Sequence, residues 1–124
     1  MKEEIIKDIS IRNMIYEIRG VQVMLDSDLA KLYQVETKRI NEAVYRNKEK
    51  FSDDYCWMVN NDEKNYLWSQ NATANINSKS RVNPTVFTEK GIYMLATILK
   101  SKVAVEVTKS LIDTFVSKHL LLIK

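Results

Sequence analysis

Six side chains between positions 38 and 46, Lys38, Arg39, Asn41, Glu42, Tyr45 and Arg46, bring together the chemistry that reads a duplex. Guanidinium and ammonium groups meet phosphate oxygens or guanine edges. An Asn amide matches adenine bidentately, and a Tyr ring meets a sugar or a thymine methyl. At about 100° per residue, a helix here sets Lys38, Asn41, Glu42 and Tyr45 opposite the apolar stripe Ile40, Ala43 and Val44, with Arg39 and Arg46 flanking. Thr37 is expected to cap this helix and to stand with the same contact face. The competing reading is a solvated surface. In it Glu42 pairs with Arg46 at i+4 and with Arg39 at i−3, Asn41 is a plain surface residue, and Tyr45 covers Phe51 or the strand at 55–59.

The preceding residues give this face its meaning. Ser27 or Asp28 is placed to cap a short helix from Leu29 to Tyr33, and Val35 anchors a tight connection into the second helix. Small Ala30 lies where the two helices approach. Such a pair is a helix-turn-helix, whose second helix enters a major groove. Asn47 projects toward the buried side and is positioned to cap that helix. Lys48 and Lys50 follow it as phosphate contacts. Lys79 and Arg81 lie in the Asn-rich stretch 71–83, expected as a wing meeting backbone or minor groove, or as an uncommitted surface loop.

The remaining elements form the support. Ile15–Ile18 and Val21–Leu25 are expected as strands around an Arg19-Gly20 turn. Phe51–Asp54 connects to a buried strand, Tyr55–Val59, with Cys56 inside it as a small hydrophobe. Asn60–Asp62 is a turn or cap ahead of a helix to Asn71 with Tyr66 and Leu67 inward. Thr88 caps a helix Glu89–Leu99, buried through Ile92, Leu95, Ala96 and Leu99, so the Thr88-Glu89 pair reads as structural. Ser101 caps a long last helix from Lys102 to about His119, with Val103, Val107, Leu111, Ile112, Phe115 and Val116 as its apolar face. Trp57 and Trp68 are expected to pack in the interior. The run Leu120–Ile123 is more hydrophobic than a free terminus, so residues 119–124 either dock on a second subunit or begin a following segment. A homodimer through the last helix is the expectation.

Composition bounds the class. A chain of 124 residues with 45% hydrophobic and 28% charged content suits one globular domain spanning 1–124. The net charge of +3 is concentrated between Thr37 and Lys50, where five basic residues face two acidic ones. One cysteine rules out an intramolecular disulfide, the amino terminus lacks an apolar signal region, and no apolar run approaches the roughly 18 residues of a membrane span. The expectation is a bacterial cytoplasmic protein without a membrane partner. No glycine-rich phosphate loop or nucleophile elbow occurs, and Cys56 and His119 alone do not make a zinc site. The carboxylate pairs Asp26/Asp28 and Asp53/Asp54 fall at caps or turns. The expectation is no enzyme, no metal and no cofactor.

Two segments, GVQVMLDSDLAKLYQVETKRINEAVYRNKEKF (Gly20 to Phe51) and NPTVFTEKGIYMLATIL (Asn83 to Leu99), resemble the KilA-N superfamily, in particular the amino-terminal domain of phage antirepressors of the ORF-six N-terminal type. The matching marks are Val-Met-Leu, Asp-Leu-Ala-x-Leu-Tyr, Arg-Asn-x-x-x-Phe and Phe-Thr-Glu-x-Gly, and the likeness spans roughly Met14 to Phe115. It implies a winged-helix-like α+β module that binds double-stranded DNA, from a phage, a prophage or a bacterial host, often followed by a separate carboxy-terminal domain. It also leaves room for a repressor protein as partner. Gln34 stands where such turns often have Gly, which predicts a more open turn. Lys50 stands where the family often has Arg, keeping the charge without the bidentate fork.

Overall fold

The computed structural model describes residues 11–70 and 83–123. In chain order its elements are β1 (Ile15–Ile18), β2 (Val21–Leu25), α1 (Asp26–Tyr33), α2 (Thr37–Arg46), a single 3-10 turn (Lys48–Lys50), β3 (Cys56–Met58), α3 (Asn61–Ser69), β4 (Thr85–Thr88), α4 (Glu89–Leu99) and α5 (Lys102–Ile123). The fold is mixed α+β with a long carboxy-terminal helix, as expected.

Arg19 and Gly20 both have positive φ, 56° and 76°, so β1 and β2 close in a two-residue turn whose twist suits a hairpin. The strands form one antiparallel sheet in the order β1-β2-β4-β3. Met24 lies opposite Ile15 on one side and Phe87 on the other, and Phe87 in turn lies opposite Cys56. The strand after the Asn-rich stretch is therefore central to the sheet. The wing expected there, with Lys79 and Arg81, falls at 71–82, outside the described residues.

Both sheet faces are covered, which explains why Val23, Met24 and Leu25 are all buried in succession. Met24 and Phe87 point into the larger core with Leu29, Ile40, Ile92, Leu95, Leu111 and Phe115. Val23, Leu25 and Val86 point the other way, to Ile18, Val59 and Leu67 of α3. Gly91 is required where α4 crosses the loop before β3, since a Cβ there would lie 1.9 Å from the Tyr55 carbonyl oxygen.

Several caps are those expected. Thr88 Oγ1 accepts from Gly91 N at 3.3 Å, and Ser101 Oγ accepts from Ala104 N at 3.0 Å. Asn60 and Glu63 form a reciprocal capping box at 2.8 and 3.0 Å. Four expectations need correction. α1 starts at Asp26 rather than Leu29, because Asp26 Oδ1 accepts the Ser27 N–H at 2.8 Å and two carboxylates suit the positive end of the helix. α2 has Glu36 at its cap position without a side-chain bond, and Thr37 is its first residue. Tyr66 and Trp68 are exposed, leaving Leu67 as the buried residue of α3. On α5 the buried residues are Ala104, Thr108, Leu111, Thr114 and Phe115, whereas Val103 and Val116 are exposed. Thr108 is buried because its hydroxyl meets the Tyr33 phenol at 2.7 Å, a partner 75 positions away.

Candidate nucleic-acid interface

Three devices hold α2 in place. The first is the turn from α1. Gln34 adopts the left-handed conformation (φ 59°, ψ 43°), its N–H bonding Lys31 O at 3.2 Å and that of Val35 bonding Ala30 O at 2.9 Å. The turn is thus tight rather than opened. Gln34 accepts a conformation that costs a side-chain-bearing residue about 1 kcal/mol relative to Gly. The second is Ile40, fully buried against the core, with Ala43 and Val44 half-buried beside it.

The third device is polar. The buried Asp26 carboxylate accepts from the Asn41 amide at 3.0 Å and from the Thr85 N–H at 3.3 Å, through the same oxygen. One carboxylate therefore joins the β2–α1 junction, α2 and β4. Asn41 was expected either to read adenine or to sit idle on the surface. It is instead half-buried and engaged inward, so it positions the helix. Asn47, as expected, closes the far end of α2, its amide donating to Ala43 O at 2.8 Å.

Lys38, Arg39, Glu42, Tyr45 and Arg46 of α2 are exposed, as are Lys48 and Lys50 beyond it, with Thr37 half-buried at the start. Glu42 lies 3.9 Å from Lys38 Nζ and pairs with neither arginine. Among the described residues, Arg39 and Arg46 have no carboxylate within ion-pairing distance. Tyr45 is 70% exposed and carries Lys48 Nζ 4.3 Å above its ring. It covers neither Phe51 nor the strand: Phe51 is buried edge-on to Phe87, centroids 6.3 Å apart. The side chains brought together are thus Lys38, Arg39, Tyr45, Arg46 and Lys48, cationic or aromatic, with Glu42 among them.

Asp28 is wholly buried, and burial pushes its carboxyl up to about 6, with Asp26 adding to the rise and Lys31 opposing it. Burial likewise raises the Tyr33 phenol and pushes the Cys56 thiol up to about 11. Among the described residues no group of three or more His, Cys, Asp or Glu side chains gathers to hold a metal ion, and no helix is long and apolar enough to cross a membrane.

The Asp26–Asn41–Thr85 junction was not visible in the sequence, since its members are 15 and 59 positions apart and each is an ordinary polar residue. Nor was the Arg19 cluster, in which the guanidinium lies 4.5 Å over Trp57 and bonds both Glu63 oxygens at 2.8 and 3.2 Å. That pair holds the Arg19 proton more tightly and keeps the Glu63 carboxyl below its ordinary value.

An antiparallel sheet carrying a tightly turned helix pair, with the second helix showing a cationic face, defines an α+β domain built around a helix-turn-helix. The family model of the ORF6N domain matches residues 13–98, and the chain belongs to this phage-associated domain family. No curated protein and no solved structure matches the chain.

Proposed function

We propose that this chain is a non-catalytic DNA-binding module of a phage or prophage regulator, of the antirepressor type within the KilA-N superfamily, acting in the bacterial cytoplasm. The observation that carries the reading is the outer face of α2. Arg39 and Arg46 stand exposed and, among the described residues, without carboxylate partners, on a helix whose inner side is locked by Ile40 and by Asn41 on Asp26. A rigid helix with unpaired guanidinium groups suits base edges and phosphates. In this reading α2 enters the major groove, Thr37, Lys38, Arg39, Tyr45 and Arg46 face the duplex, and Lys48 and Lys50 meet phosphates. Lys79 and Arg81 would extend the contact from the neighbouring segment. A homodimer through α5 would set two half-sites about one helical turn apart.

Selection of bound sites from random duplex DNA tests the proposal, the expected result being a palindromic motif. Across a salt series log K should fall steeply with log salt concentration. The double variant Lys38→Ala/Arg39→Ala should lose sequence preference with its circular dichroism unchanged, and intact selectivity would remove α2 from the reading role.

A second reading has its own observation. A groove of about 590 Å³ runs between α4 and α5, with Tyr93 62% exposed and Val105 and Ile112 along it. An apolar groove rimmed by Lys109 and Asp113 suits a protein partner, such as a repressor or host factor sequestered without DNA contact.

A further inference from the structure

The α4–α5 corner carries two cations that the helix-turn-helix reading does not use. Lys100 closes α4 and Lys102 opens α5, both exposed, and Ser101 between them caps α5 through Ala104 N. The corner does not stand apart from α2. Leu99 and Ser101 share with Lys38, Arg39 and Glu42 the walls of an open cleft of about 500 Å³. A duplex laid along α2 at its amino-terminal end therefore passes the corner.

The local charge favours an anion there. Among the described residues neither Lys100 nor Lys102 has a carboxylate partner within ion-pairing distance. The cleft also holds two carboxylates. Glu42 lies beside Lys38, and Glu36 stands at the cap position of α2, so the walls carry two acids against two cations, and Lys100 and Lys102, which flank Ser101 in the chain, supply the cationic excess.

Lys100 has a further peculiarity. It adopts a left-handed conformation (φ 49°, ψ 20°), its N–H bonding Ala96 O at 3.2 Å. Gly or Asn is the ordinary occupant of such a helix end, and a long side chain there is accepted at a conformational cost. An exposed residue held in a costly conformation between two residues that line the cleft, Leu99 and Ser101, points to a role for the side chain.

We infer that Lys100 and Lys102 form a second phosphate clamp, gripping the DNA backbone beside the amino-terminal end of α2. The inference rests on the DNA-binding reading of α2 and extends the footprint to a corner remote from it in sequence. Its contacts are to phosphate, so they set orientation and salt dependence rather than sequence preference.

The test is a salt titration of the full chain on a mixed-sequence B-form duplex, comparing Lys100→Gly, Lys102→Ala and Arg46→Ala with the unaltered protein, together with thermal melting. Each corner variant should make the slope of log K against log salt shallower by about 0.9, the value for one lost phosphate contact. Lys100→Gly should do so while raising Tm, because Gly relieves the left-handed strain. This opposition of signs separates a ligand role from a structural one. Unchanged slopes for both corner variants, with a shallower slope for Arg46→Ala, would overturn the clamp and leave α2 as the reader. If the unaltered chain binds the duplex without salt dependence, the reading of α2 fails and the clamp fails with it.

Discussion

The sheet face that carries α1, α2, α4 and α5 is organised by buried groups, whereas the face beneath α3 is closed by a small apolar cluster and by contacts at the surface. On the thick face Asp26 ties α2 to β4, Tyr33 ties α1 to α5, and Gly91 lets α4 lie on the Tyr55 carbonyl. On the thin face Leu67 is the sole fully buried residue of α3, and Arg19, Trp57 and Glu63 meet with Arg19 well exposed. Buried polar groups have no water to replace a lost partner, so their geometry is strongly enforced. Exposed pairs are replaced by water at little cost. The helix proposed to meet DNA thus sits on the face whose connections are the harder to deform.

This contrast can be broken at defined points. The largest effect is expected from Gly91→Ala, which drives a Cβ to 1.9 Å from the Tyr55 oxygen, and backbone on both sides leaves little room to yield. It should cost about 3 kcal/mol or more in a urea titration. A loss below about 1 kcal/mol would show that α4 is free to shift.

Asp26→Ala removes the acceptor of the Ser27, Asn41 and Thr85 donors and should cost about 2–3 kcal/mol. It should also make the Asn41 amide signals mobile by NMR. An unaltered Asn41 environment would deny the junction its role in fixing α2.

Asp28→Asn acts in the opposite direction. The Asp28 carboxyl is raised from 3.8 to about 6 by burial, so between those values the folded chain holds a proton that the unfolded chain has released. This contribution is present below about pH 4 and is lost as pH rises through about 6, by at most about 3 kcal/mol. The variant should be the more stable protein at pH 7, and its stability should change less between pH 4 and 7. Equal pH profiles for the two proteins would contradict the shift.

Gln34→Gly should stabilise the turn by about 0.5–1 kcal/mol, since Gly takes φ 59° without strain. The smallest effect is expected on the thin face. Arg19→Ala, which breaks the exposed ion pair with Glu63 and the stacking on Trp57, should cost far less than Asp26→Ala, and less still in high salt. A loss matching that of Asp26→Ala would erase the distinction between the two faces.

The strand hairpin was legible because two short, largely apolar stretches flank Arg19-Gly20, and its observed bounds agree with those expected. The caps at Thr88 and Ser101, the closure of α2 by Asn47 and the inward turn of Ile40 were legible for the same reason. Each depends on residues within one or two helical turns. The error on α5 arose where a distant partner intervened. Val103 and Val116 are apolar yet exposed, while Thr108 is polar yet buried, because α5 is rotated to bring Thr108 onto the Tyr33 phenol. Hydropathy ranks those residues in the reverse order.

By itself the sequence determined the element order, the helix pair and the excess of cations between Thr37 and Lys50, all consequences of local propensity, spacing and composition. Tertiary structure alone decided which polar residues of α2 remain available. It turned Asn41 inward to Asp26 and left Arg39 and Arg46 without carboxylate partners among the described residues. It also brought the α4–α5 corner beside that helix. The physical reason is range. A cap or a turn is satisfied by neighbours in the chain, whereas a buried carboxylate is satisfied only by donors that folding brings to it from 15 and 59 positions away.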